Sequence, residues 1–106
     1  MWKVETLNKT VDRELSALPE DMRAKFAQIS DMIEGFGLDA VHPPYVKHLV
    51  GKLWEIRVIG KDGIARAIYV TAFKKRVIVV RIFVKKTQKT PKQEIDLALE
   101  RAKGIV

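Results

Sequence analysis

The chain has 106 residues, 47% of them hydrophobic, and no cysteine; that length and apolar content suit one core without staples and exclude disorder, and the missing thiols exclude a disulfide framework, a thiolate metal site and a cysteine nucleophile. No apolar run reaches the ~18–20 residues of a membrane span and MWKVETLNKTVDREL is too charged for a secretory leader, so a single cytoplasmic domain over residues 1–106 with no membrane association is expected. The net charge of +7 is concentrated in one half: residues 1–50 hold six Lys/Arg against eight Asp/Glu, residues 51–106 fourteen against five, and a localised basic field of this kind attracts polyanions, nucleic acid foremost.

Along the chain, the alternation in WKVETL (2–7) predicts a short first strand. A short helix is expected from Thr10 to Leu18, with Val11, Leu15 and Leu18 on one face. Pro19 suits the first turn of a second helix, and Glu20 and Asp21 complement its positive end. In that helix Met22, Phe26, Ile29, Ile33 and Phe36 recur as an apolar core stripe, which Gly35 and Gly37 end. Residues 38–52 read as a connection, kept extended by His42-Pro43-Pro44. Its two histidines, His42 and His48, lack the partners of a metal site, and no metal or cofactor is expected. LWEIRVI (53–59) alternates, with Trp54, Ile56 and Val58 on one face and Leu53, Glu55, Arg57 and Ile59 on the other. GKDG (60–63) is a hairpin turn, IARAIYVTAF (64–73) the returning strand, Lys74-Lys75-Arg76 a second turn, and VIVVRIFV (77–84) the third strand of an antiparallel meander. Thr90 as N-cap, Pro91 at the first helical position and Gln93 in a capping box start a last helix, whose stripe is Ile95, Ala98, Leu99 and Ala102. The fold class is α+β: an antiparallel sheet with two N-terminal helices and a C-terminal helix packed on one face, the other face being partly open.

Charges interrupt the apolar strands. Glu55 and Arg57 alternate away from Ile56, Arg66 lies between Ala65 and Ala67, and Arg81 splits VIVV from IFV. Such groups must be paired or solvated. One reading is an ion network in which Glu55 pairs with Arg57 or Arg66. The other is an anion-binding concavity, rimmed by Lys85, Lys86 and Lys89, in which arginine forks and lysine point charges hold phosphates. Tyr69, three residues after Arg66 and so on the opposite face, reads as core.

Residues 51–102 resemble the HigB/RelE-like toxins of type II toxin–antitoxin pairs, in the phage-derived branch of the RelE/ParE superfamily. The resemblance rests on LWEIR (Leu53–Arg57), the R-x-x-Y of Arg66–Tyr69, and FVKKTQKTP (Phe83–Pro91) followed by Glu94-Ile95 and Ala98. It implies a small RelE/ParE-like fold and a ribosome-dependent endoribonuclease, an mRNA interferase in which the 2′-hydroxyl attacks the adjacent phosphate. Its partners would be the ribosome, mRNA and a neutralising helix-turn-helix antitoxin, with DNA reached only through that antitoxin. Carried over by residue, Arg57, Arg66, Lys85 and Lys86 would be catalytic, with Glu55 either a base or a charge partner; Arg81, Lys89, Lys52, Lys74 and Lys75 would bind RNA. Changing Arg66 or Lys86 to Ala would then abolish toxicity and leave the fold intact. Many relatives read L-H-G-F-V-K-K-T where this chain has Val80-Arg81-Ile82-Phe83, so Arg81 stands in place of a histidine and cannot readily move a proton at neutral pH. Two alternatives remain: a non-catalytic member that binds RNA, the ribosome or its antitoxin, and a ParE-like gyrase poison.

Overall fold

Apolar alternation and hairpin turns set five strands side by side in a computed structural model that describes residues 1–85 and 89–106. The elements are β1 (Lys3–Thr6), α1 (Lys9–Ser16), α2 (Glu20–Phe36), β2 (Val46–Val50), β3 (Leu53–Gly60), β4 (Gly63–Ala72), β5 (Arg76–Lys85) and α3 (Lys92–Ala102), with one 3₁₀ turn at Leu38–Ala40. The sheet order is β1-β5-β4-β3-β2. β2 to β5 form an antiparallel run, whereas β1 joins β5 in parallel, pairing Lys3 with Arg76 and Thr6 with Val79. The sheet is therefore mixed.

Local chemistry explains most boundaries. The Asn8 side chain accepts a hydrogen bond from the Val11 amide at 3.1 Å and starts α1. Pro19 caps α2, and Gly37, at φ 94°, closes it in a backbone region that a side chain would strain. β2 lies inside the segment expected to be a connection. Its half-buried residues, Val46 and Leu49, are three apart because the pairing with β3 slips between His48 and Val50. A bulge of that kind erases the two-residue period by which a strand is recognised.

The helices do not share a face. α1 and α2 cover one side of the sheet, where Val11, Met22, Phe26 and Ile33 pack with Ile56, Val58, Tyr69, Val77 and Val79. α3 covers the other, setting Ala98 and Ala102 against Leu53, Ile68, Val70, Ile78, Val80 and Phe83. The expectation of one open face is corrected accordingly. The reason is visible in the central strands: residues 65–70 and 77–80 are buried without interruption, which only a sheet covered on both faces permits. Each fully buried large aliphatic side chain contributes about 1.5–3 kcal/mol. Three expected core residues lie outside: Phe36 is 82% exposed at the end of α2, Leu99 is exposed on α3, and Trp54 is 40% exposed against the ring of His48.

Candidate functional site

The α3 face holds the charges that interrupt the strands. Arg57 and Arg66 are cross-strand partners on β3 and β4, and Glu55 lies two residues before Arg57 on the same face. Arg66 Nη1 donates to Glu55 Oε2 at 3.0 Å, and Arg57 Nε stands 3.6 Å from the same oxygen. Thr90 completes the arrangement: its hydroxyl donates to Glu55 Oε1 at 2.6 Å and accepts from Arg66 Nη1 at 3.4 Å. Glu55 and Arg66 are both fully buried, and Thr90 is nearly so. The ion network is thus the arrangement these residues adopt. Both Glu55 oxygens are thereby engaged by fixed donors. Arg66 is equally remote from solvent, so its replacement by Ala is expected to cost stability as well as any activity.

The role of Thr90 corrects the capping box. α3 begins at Lys92 with Pro91 as its cap and no side-chain capping bond. A buried carboxylate needs donors more than an exposed helix start does, so the hydroxyl turns inward.

Arg81 is also engaged. Its Nε and Nη2 donate to the two oxygens of Glu94 at 2.7 and 3.1 Å, and Nη1 lies 3.0 Å from Glu14 of α1. The hydrogen bonds that Arg81 donates to Glu94, aided by Glu14, raise the Arg81 pKa above its ordinary value. β1 pairs with β5 only as far as Val79, so beyond that point β5 exposes an edge. Glu14 accepts the Ile82 amide there at 3.0 Å, while Arg101 donates to the Val80 carbonyl at 3.0 Å and to Glu14 at 2.8 Å. This four-charge cluster ties α1 to α3 around the sheet edge. Two carboxylates neutralise Arg81 where a phosphate contact was expected.

Glu14, Glu94, Thr90 and Arg101 were not anticipated. Glu94 had a signal: it stands at positions i, i+4, i+8 with Ala98 and Ala102, and these three are the buried residues of α3 while Leu99 is 39% exposed. Glu14 and Thr90 carried none, because their partners lie far away in the chain.

The remaining predicted cations divide between the two ends of the sheet. Lys85 pairs across from Ile64 next to the β3–β4 turn, and is exposed, as is Lys89 just before α3. Arg57 belongs to the same end, roughly 12 Å from Lys85 by strand spacing and rise. Lys86 lies outside the described residues. Lys52, in the β2–β3 turn, reaches the Ala102 carbonyl at the far end of α3. Lys74 and Lys75, both in left-handed turn conformations, join β4 to β5 at that far end, about 26 Å along the strands from the Lys85 pair. These three cannot share one small site with Arg57 and Lys85.

Beside Arg57 a cleft of about 530 Å³ opens between α2, the edge of β3 and the segment before β2. Lys25, His42, Tyr45 and Arg57 line it over a floor that includes Ile29 and Val58. The Tyr45 carbonyl accepts the Arg57 amide at 2.8 Å, and Lys25 Nζ reaches from α2 to the Ile59 carbonyl at 2.8 Å.

A mixed sheet with a helical pair on one face and a single helix on the other defines a RelE-like fold. The solved structure described as "Crystal structure of archaeal RelE-RelB complex from Pyrococcus horikoshii OT3" is similar to this chain with a TM-score of 0.58 and 22% identity, over 83% of this chain and 98% of that one. No curated protein matches. Residues 13–103 match the family described as "Phage derived protein Gp49-like (DUF891)". The chain belongs to that family, a RelE-like toxin family. Among the described residues, no helix is long and apolar enough to cross a membrane.

Proposed function

We propose that the protein is the toxin of a type II toxin–antitoxin pair and acts in the cytoplasm as a ribosome-dependent endoribonuclease on translated mRNA, neutralised by a helix-turn-helix antitoxin. The observation that carries this reading is the cationic end of the α3 face. Arg57, Lys85 and Lys89 gather there, while the carboxylates Glu55, Glu14 and Glu94 are withdrawn into ion pairs. A phosphodiester at this end meets the positive charge of these side chains.

In the reaction, the ribose 2′-oxygen forms a bond to the adjacent phosphorus while its proton passes to solvent water. The bond from phosphorus to the 5′-oxygen breaks, leaving a 2′,3′-cyclic phosphate and a 5′-hydroxyl. Arg57, Lys85 and Lys86 stabilise the extra negative charge of the crowded phosphorane. An ammonium of Lys85 or Lys86 supplies the proton to the departing 5′-oxygen. Glu55, Arg66 and Thr90 act indirectly, holding Arg57 and the start of α3 in place.

Induction without an antitoxin, followed by mapping of mRNA 5′ ends, tests the proposal. New ends confined to translated regions, lost in Arg57→Ala and Lys85→Ala variants that remain folded, are the expected result. Growth arrest without new ends overturns it. A second reading, a non-catalytic RNA- or ribosome-binding member, is favoured by one observation: Glu55 and Arg66, expected to be catalytic, and Arg81, expected to bind RNA, are tied into ion pairs.

A further inference from the structure

The cleft beside Arg57 is unused by the reaction above, yet its walls are chemically specific. Tyr45 is 50% exposed and His42 is exposed, both in the segment leading into β2. Both line a largely apolar hollow together with Ile29, Val41 and Val58. Its volume falls in the range of ordinary small-ligand pockets. Two cations stand at its margin, Arg57 and Lys25.

We propose that this cleft is a nucleobase subsite, which takes one unstacked base of the single-stranded RNA whose phosphates lie on the cationic end. The inference rests on the reading that RNA is the substrate. Arg57 borders both regions, so a strand with a phosphate at Arg57 brings a neighbouring base to the cleft. Aromatic rings interleaved with basic side chains are the recurrent solution for holding single-stranded nucleic acid: the ring takes the base face and the cation the phosphate. A base within a duplex is stacked on both sides and cannot enter.

Lys25 narrows the choice of occupant. Its ammonium bonds the Ile59 carbonyl with one N–H, leaving two donors for an anion. The same contact ties α2 to β3 where both line the cleft. An amphipathic helix of a protein partner needs a long groove for anchors spaced over several turns, whereas a hollow of about 530 Å³ takes a flat ring. The subsite would read the identity of a base near the cut, which the cationic end alone cannot do because phosphate contacts carry no sequence information.

The test measures binding of a short, unstructured, fluorescently labelled oligoribonucleotide by anisotropy at low salt. Its 2′-positions are O-methylated to prevent cleavage. Tyr45→Ala is expected to weaken binding about tenfold and Tyr45→Phe to keep it within about twofold of the parent, because the ring and not the hydroxyl does the stacking. The salt dependence should be the same for all three proteins, since no phosphate contact is lost. The substitutions leave the Tyr45 carbonyl and its bond to the Arg57 amide in place, and thermal melts check the fold. If Tyr45→Ala binds as the parent does, the subsite is refuted. If RNA binding is unchanged but Tyr45→Ala no longer binds an acidic protein partner, the cleft belongs to that partner and the proposal also falls. A parent protein that arrests growth but cuts no mRNA in cells removes the RNA reading itself, and one that cuts mRNA but binds no oligoribonucleotide at low salt refutes the subsite. A parent that cuts mRNA in cells and binds the probe, with a silent Tyr45→Ala, refutes the subsite alone.

Discussion

Replacing Arg66 by Met tests the network directly. Arg66 and Glu55 are both fully buried and 3.0 Å apart. Removing the guanidinium leaves the Glu55 carboxylate in the interior, with the Thr90 hydroxyl and the more distant Arg57 as its remaining support. Breaking a buried pair in this way costs about 3–5 kcal/mol, a large part of the ~5–15 kcal/mol that holds a domain together. The melting temperature should drop by roughly 15–30 °C. Adding Glu55→Gln removes the stranded charge while keeping an acceptor for Thr90, and should recover at least about half of the loss. Urea unfolding followed by fluorescence of Trp2 and Trp54 measures both variants, and an unchanged m-value confirms that the same surface is exposed. A single Arg66→Met within about 0.5 kcal/mol of the parent, the range of a neutral surface change, refutes the reasoning. So does a double variant less stable than the sum of the singles. Toxicity gives a further reading: a double variant that regains stability should regain growth arrest, and a stable but harmless one means that the Glu55–Arg66 pair serves activity beyond stability.

Gly60 faces the start of α2, where an added Cβ would come 2.7 Å from two atoms of the buried Met22 side chain and 2.8 Å from Asp21 Oδ2. Gly60→Ala should cost about 1–3 kcal/mol by overpacking, and combining it with Met22→Ala should cost less than the two singles together, as calorimetry would show. Tyr69 is buried, and burial pushes its phenol up to about 12. The neutral ring is favoured in the folded state, so its contribution to stability is complete below the ordinary phenol value of ~10 and is lost as pH rises from there through the folded value. Stability measured against pH should therefore fall in that alkaline window, and Tyr69→Phe should flatten the slope; an unchanged slope refutes the assignment.

Much of the candidate site was legible residue by residue, and little of its wiring. The interruptions of apolar strands by Glu55, Arg57, Arg66 and Arg81 are visible in the chain because a charge in such a run must be paired or solvated. Which of the two holds depends on partners that strand alternation does not reveal. Glu14 reaches Arg81 from α1, and Thr90 reaches Glu55 from the far side of the meander. The same partners decide which cations remain at the surface. Lys85 and Lys89 stay exposed beside Arg57, while Lys52, Lys74 and Lys75 are carried to the other end by the hairpin lengths. The cleft with Lys25 and Tyr45 had no signal in the chain, since it exists only where α2 crosses the edge of β3.

What the amino-acid sequence determined by itself is what depends on near neighbours. Helical spacing from Met22 to Ile33, two-residue alternation in LWEIRVI, and the GKDG turn specified α2, β3 and the first hairpin, because each rests on contacts within a few residues. The tertiary structure alone decided the parallel pairing of β1 with β5, the passage of α3 to the opposite face, and the inward turn of Thr90 away from its cap. Each of these is a choice among alternatives that are locally similar in energy. It is settled by the demand that a second apolar sheet face be covered and that a buried carboxylate be satisfied, and neither demand exists until the whole chain has come together.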